Sequence, residues 1–348
     1  MNRNVLIGLA LLTVVVLLSA LYLTRPASNA VNDETDLPLV PGLRDAINDV
    51  ARIEIRSASS EPVSLVRDDS RWRVIQKDNY EADFALVHDL LRDLASGLRA
   101  EPRTSNPEWY GRLGVAGIDE PEAGGVEVSF PESDLPELII GLAGPVEGTR
   151  FVRLDGESQA WLSDRDLDVA AEALGWLERS IMDIPASELS EVTLRHADGE
   201  IVQLRPAGEE GSDWVLMNVP DGREAEPMWR LRPVANALAG LQLDDVRRHD
   251  QVPEDAARAL FVTRDGLNFV ASLFEDEQGG WVHFSVTAEV QATEDDTLSD
   301  EDAASSADAG AVDARLSPWQ FRLPQEKFDQ MTRRLEDLLV DPETEGQD

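Results

Sequence analysis

Cysteine is absent from the 348 residues, which excludes disulfides, thiolate nucleophiles and zinc sites with cysteine ligands. Lysine is nearly absent: Lys77 and Lys327 are the two, and every other basic residue is arginine. The four histidines, His88, His196, His249 and His283, show no H-x-x-x-H or H-E-x-x-H spacing on which to hold a metal. No G-x-S-x-G elbow, G-K-[ST] loop or G-x-G-x-x-G fingerprint occurs. The glycine-rich run "GLAGPVEG", residues 141–148, leads into a strand pattern and is predicted to be a hairpin loop. "DRDLD", residues 164–168, opens like a calcium loop, but Val169 and Gly175 stand where that loop needs glycine and glutamate. Its acids are read instead as the start of a helix, where the macrodipole favours them. No catalytic, cofactor-binding or metal-ligating residue is assigned, and the expectation is a protein without a cofactor that is not an enzyme.

Positive charge is also scarce, with 68 acids against 31 bases and a formal net charge of -37. Such a field repels phosphate backbones, so nucleic acid is not an expected partner. The acids are spread along the chain and read as a solvated surface.

What is present begins with an apolar run. "VLIGLALLTVVVLLSALYL", residues 5–23, carries no charge and as a helix would reach about 28 Å, enough to span a bilayer core. "SNA" at residues 28–30 could serve as a cleavage site, but the run exceeds the roughly 7–15 residues of a signal-peptide core. An uncleaved anchor is therefore expected. Arg3 precedes it and Arg25 follows, so the basic-residue bias tilts only slightly toward a cytoplasmic amino terminus. The expected layout is a cytoplasmic tail (1–4), a transmembrane anchor (5–23), and a proline-bearing linker (24–48). The bulk of the chain then lies in the periplasm, attached to the inner membrane by a single pass.

Beyond residue 48 the chain repeats itself. "IEIRSASSEPVSLVRDDSRWRVI", residues 53–75, is echoed by "VTLRHADGEIVQLRPAGEEGSDWVLM", residues 192–217. In each, alternating apolar residues predict three strands: Ile53/Ile55, Val63/Leu65 and Trp72/Val74, then Val192/Leu194, Val202/Leu204 and Trp214/Leu216. A helix is predicted after each set. One carries Phe84, Val87, Leu91, Leu94 and Leu98; the other carries Leu231, Val234, Leu238 and Leu241, with Pro233 near its start. Gly97 and Gly240 are placed as their C-caps. Four further strands are predicted in each half ("VEVSF", "ELIIGL", "TRFVRL", "QAWL" and "LFVTR", "NFVASLF", "WVHFSV", "WQFRL"). A last helix follows each, holding Leu167, Leu174 and Leu177 or Phe328, Leu335 and Leu338. Residues 292–314 contain eight acids, no base and no large apolar face, and read as a disordered insert. The expected fold class is α+β. It has two tandem similar units (49–185 and 186–343), each a mostly antiparallel sheet with helices packed on one face, preceded by the single transmembrane helix.

In the first unit, Trp72, "AD" at Ala82 and Asp83, "YG" at Tyr110 and Gly111, "IG" at Ile140 and Gly141, and "GTRFVRL" at residues 148–154 follow in order. This succession resembles the bacterial family known as domain of unknown function 4340, over roughly residues 49–194. Two features depart from the family pattern: no proline stands between Trp72 and Ala82, and "YGRLGV" interrupts the tyrosine–glycine–leucine run. The resemblance implies an anchored extracytoplasmic module accompanying ABC transporter components. The expected function is a non-catalytic accessory or interaction subunit whose partners are transporter subunits or an extracytoplasmic polymer. The alternative is a membrane-anchored periplasmic hydrolase using paired carboxylates.

Overall fold

The computed structural model describes residues 37–207, 213–288 and 300–340. The apolar run 5–23 and the "SNA" site lie outside them. Among the described residues no helix is long and apolar enough to cross a membrane. The linker expected over 24–48 is corrected from residue 37 onward. Leu39 and Leu43 are fully buried there, Leu43 opens a one-turn helix α1 (Leu43–Ala46), and the Leu39 N–H donates to the Gly97 carbonyl at 2.9 Å. The segment lacks a period because single anchor residues pin irregular backbone.

Alternating apolar residues then build the first sheet from β1 (Arg52–Ser57), β2 (Ser60–Asp68), β3 (Arg71–Val74), β4 (Tyr80–Glu81), β5 (Arg99–Thr104), β6 (Val126–Ser129), β7 (Leu138–Ala143), β8 (Arg150–Leu154) and β9 (Ala160–Ser163). Its order is β4-β3-β2-β1-β6-β7-β8-β9-β5. A two-stranded pair, β10 (Ser180–Met182) with β14 (Leu241–Gln242), crosses from this half of the chain to the next. The second sheet comprises β11 (Leu189–Arg195), β12 (Ile201–Ala207), β13 (Asp213–Leu216), β15 (Asp245–Arg248), β16 (Ala257–Thr263), β17 (Leu267–Asp276), β18 (Gly279–Ala288) and β19 (Trp319–Arg322). It runs β13-β12-β11-β16-β17-β18-β19-β15. The fold is thus sheet-dominated α+β with antiparallel pairing. Adding ten to each strand number of the first sheet, β4 aside, reproduces the order of the second.

Registers repeat as well. Ile53 faces Leu65 and Ile55 faces Val63; Val192 faces Leu204 and Leu194 faces Val202. Trp72 faces Arg67 in the first sheet, and Trp214 faces Pro206 in the second. Both tryptophans are buried, at 5% and 2% exposure, in one hydrophobic core that runs continuously through both halves.

The helices depart more from expectation. Asp83 caps α2 (Phe84–Ser96) by accepting from the Ala85 and Leu86 N–H groups, an arrangement worth about 1 kcal/mol. Val87, Leu90, Leu91 and Leu94 are buried beneath it, but Phe84, expected in the core, is 59% exposed. Gly97 follows α2 with extended backbone (φ -76°); the left-handed glycine is Gly240, at φ +53°. Helix α4 (Met228–Ala235) is short, and Leu238 and Leu241 lie beyond it. Pro233 sits inside this helix rather than near its start, where it lacks the N–H that would bond back to Trp229. Another one-turn helix, α3 (Tyr110–Leu113), precedes β6.

No α-helix forms over Leu167–Leu177, where a single 3-10 turn, Ala173–Trp176, stands instead. The helix expected through Phe328 to Leu338 is divided into α6 (Gln325–Met331) and the turn Glu336–Leu338. The disordered insert expected over 292–314 is corrected from residue 300 onward, and 292–299 lie outside the described residues. Its second part forms α5 (Asp300–Leu316), with Ala309 and Leu316 buried and Asp313 accepting the Val286 N–H at 2.7 Å. Alanine supplies the helix propensity, and a narrow apolar stripe suffices against β18.

Truncating Trp72 or Trp214 to alanine should each cost roughly 3–5 kcal/mol, the range for a large aromatic removed from a packed core. Parallel denaturant melts check this; a thermally silent Trp214→Ala would show that the second tryptophan is not a core element.

Candidate functional site

The two sheets meet edge to edge, and the site lies at that seam. Asp78 and Asn79 adopt consecutive left-handed conformations (φ 55° and 63°), which short polar side chains tolerate, and so fold β4 back onto β3. This turn presents Lys77 and Asp78 to the second sheet. Lys77 Nζ lies 2.6 Å from Asp245 Oδ1, both side chains mostly buried, and Asp78 Oδ2 accepts the Arg248 N–H. The buried Tyr80 ring sits edge-on to Trp319 at 4.9 Å and to Phe321 at 6.3 Å. Such aromatic pairs add about 0.5–1.5 kcal/mol beyond the area they bury.

Beside these contacts a cleft of about 400 Å³ stays open, with Tyr80, Leu316, Trp319 and Phe321 among its walls. Arg71 and Arg73 line it from β3 and Arg315 from α5, together with Glu178 and with Glu81, the cross-strand partner of Arg73 on β4. Arg315 Nη1 donates to the Ile181 carbonyl at 2.9 Å. Arg71 stands 3.7 Å from Glu81, too far for a hydrogen bond. Arg73 makes no hydrogen bond or ion pair among the described residues, and neither does the Tyr80 hydroxyl. Burial holds the Tyr80 proton well above the ordinary tyrosine range; Arg315 acts against this, and Glu178 and Glu81 reinforce it. The group is a neutral phenol able to donate.

Elsewhere, side chains weighed from sequence are spoken for. Asp166 and Asp168 pair with Arg150 at 3.2 and 3.1 Å, and Asp164 accepts the Leu98 N–H; the helix start expected of them does not exist. "GLAGPVEG" joins β7 to β8 as the hairpin loop expected. His88 stacks on Phe84, and His196 Nε2 contacts the Arg333 carbonyl. His249 and His283, 34 residues apart, are brought together by the β15-β19-β18 order, their rings stacked at 3.8 Å and 22°. Near-parallel rings do not aim their nitrogens at one point. Among the described residues no group of three or more metal-ligating side chains gathers. Among the carboxyls, burial pushes Glu127 upward against the opposing charge of Arg56, on β6 and away from the cleft.

The residues behind the family resemblance are committed to the fold. Trp72 is core, Ala82 bridges Leu177, and Asp83 caps α2. The Tyr110 hydroxyl donates to the Ser158 carbonyl, with Arg153 stacked 4.7 Å above its ring. A side chain at Gly141 would run into the backbone at Leu113 and Gly114. Residues 72–260, more than half the chain, match the family model described as Domain of unknown function (DUF4340). The chain belongs to the DUF4340 family. The match starts later and ends later than the resemblance read from sequence, passing through both sheets. Within this DUF4340 chain the matched span includes Arg73, Tyr80 and Glu178 of the cleft, while Arg315 and Trp319 lie past it. No curated protein and no solved structure matches the chain.

The histidine pair gives the fold a pH dependence. Burial of the stacked face, then the charge of His283, lowers His249 below its ordinary 6.5, with Asp250 opposing. Folded His249 therefore binds its proton less tightly than unfolded His249. Its contribution to stability is whole above that ordinary value and is lost as pH falls through the depressed one. The melting temperature of the wild type should drop further between about pH 7 and about pH 5 than that of His249→Gln. Parallel curves for the two proteins would contradict this.

Proposed function

We propose that this DUF4340 protein is a non-catalytic, membrane-tethered extracytoplasmic module, made of two tandem copies of one α+β unit. It acts as an accessory subunit of an ABC-type transport system, binding through the seam between its units. The observation that carries this reading is the cleft at the seam, where Arg71, Arg73 and Arg315 gather in a chain whose formal net charge is -37. Grooves between packed units are common binding places. The repeated strand order and registers support duplication, and the uncharged run 5–23 supports the tether. The hydrolase alternative would need two carboxylates free for acid–base work. Glu81 and Glu178 both line the cleft, but Glu178 Oε1 accepts the Ser180 N–H at 2.9 Å and Glu81 faces Arg71. Neither is set apart for proton transfer.

The test is purification of the full-length protein from its own membranes after mild cross-linking. Recovery in the membrane fraction, together with an ABC ATPase and its membrane-spanning subunit in fixed ratio, is expected. Recovery from the soluble fraction, or from membranes without those subunits, would contradict the proposal.

A further inference from the structure

We propose that the cleft at the seam is a binding site for a small anion bearing a carboxylate or phosphate. The inference rests on reading the cleft as a binding surface and names the chemistry it would select. A formal charge of -37 makes most of this protein repel anions, yet at this place Arg71, Arg73 and Arg315 converge against only Glu81 and Glu178. Arginines fixed on the sheets for structural reasons look different. Arg153 donates to the Val115 and Glu157 carbonyls. Arg99 bonds the Pro38 carbonyl and Glu157, and Arg247 reaches Gln320 and Asp276. Arg73 has no such partner, as is also true of Arg195, Arg258 and Arg322 among the described residues; what sets the cleft apart is that three guanidinium groups line one space.

A guanidinium presents five N–H groups in a planar fork that matches carboxylate and phosphate oxygens. Arg73 has all of these uncommitted, and Arg315 is steadied through one nitrogen while the rest remain open. The Tyr80 hydroxyl adds a neutral donor. Tyr80, Leu316, Trp319 and Phe321 back the same space but are all 8% exposed or less, and Arg248 covers the Trp319 ring, so the arginines set the chemistry of the cleft. About 400 Å³ falls within the range of small-molecule sites and is too confined for a nucleic-acid strand.

Calorimetric titration of the full-length protein in detergent tests this, using phenyl phosphate, inorganic phosphate and uncharged benzyl alcohol as probes. Phenyl phosphate should bind once per chain and inorganic phosphate at the same site, both at least tenfold more tightly than benzyl alcohol and both more weakly as salt rises. Arg73→Gln and Arg315→Gln should each weaken phenyl phosphate binding severalfold, the former without shifting the melting temperature. Arg258→Gln, on β16 outside the cleft, should leave it unchanged. Absence of saturable binding, or binding unaltered in the Arg73→Gln/Arg315→Gln double variant, would overturn the assignment. If transporter subunits still accompany a protein that binds no anion, the ligand assignment falls and the accessory role stands. If the double variant loses the subunits while free anions never bound, the cleft serves a protein surface, and the small-anion proposal is wrong.

Discussion

The contact on which the rest depends is the edge-to-edge seam between β4 and the β15–β19 corner. Open sheet edges present unpaired backbone groups that invite stray pairing, and here each sheet shields an edge of the other. The seam is closed by side chains, with no continuous ladder joining the two sheets. A half-dry ammonium–carboxylate pair, Lys77 with Asp245, fixes one point. The perpendicular packing of Tyr80 on Trp319 fixes another. Because side chains rather than strand hydrogen bonds make the joint, space remains beside it, and that space is the cleft.

The scarcity of lysine acquires a physical meaning in this light. Lys77 supplies the ammonium at the seam. Lys327 Nζ donates to the Asn236, Ala237 and Ala239 carbonyls just past α4, and burial lowers its hold on the proton. Three carbonyls converging on one point match the three donors of an ammonium and do not match a planar fork. Arginine serves where a fork or a stacked plane is wanted: Arg153 over Tyr110, Arg248 over Trp319, and the open donors of the cleft.

The half-buried strands were legible because one of their faces is dry: Ile53, Ile55, Val63 and Leu65, and their echoes 139 residues on, alternate as such strands must. The edge strands β5 and β15 were not. β5, "RAEPRT", is exposed along most of its length, and β15, "DVRR", is short and charged, so neither carries an apolar period. Helical spacing misled where apolar residues recur without helical backbone, as at Leu167, Leu174 and Leu177, and concealed α5, whose stripe is mainly alanine. The cleft left no local trace. Arg73 and Arg315 are ordinary single arginines in sequence, 242 positions apart, and only the return of β19 toward β4 brings them to one place.

Because the chain has no cysteine, the seam can be probed without background. In the full-length protein carrying Lys77→Cys and Asp245→Cys, a short bis-maleimide should join the two thiols within one chain, giving a single faster-migrating species. Each single-cysteine variant should take up the reagent without cross-linking. If both thiols react fully and no intramolecular link forms, the sheets do not meet at this edge, and the account of the seam and its cleft is wrong.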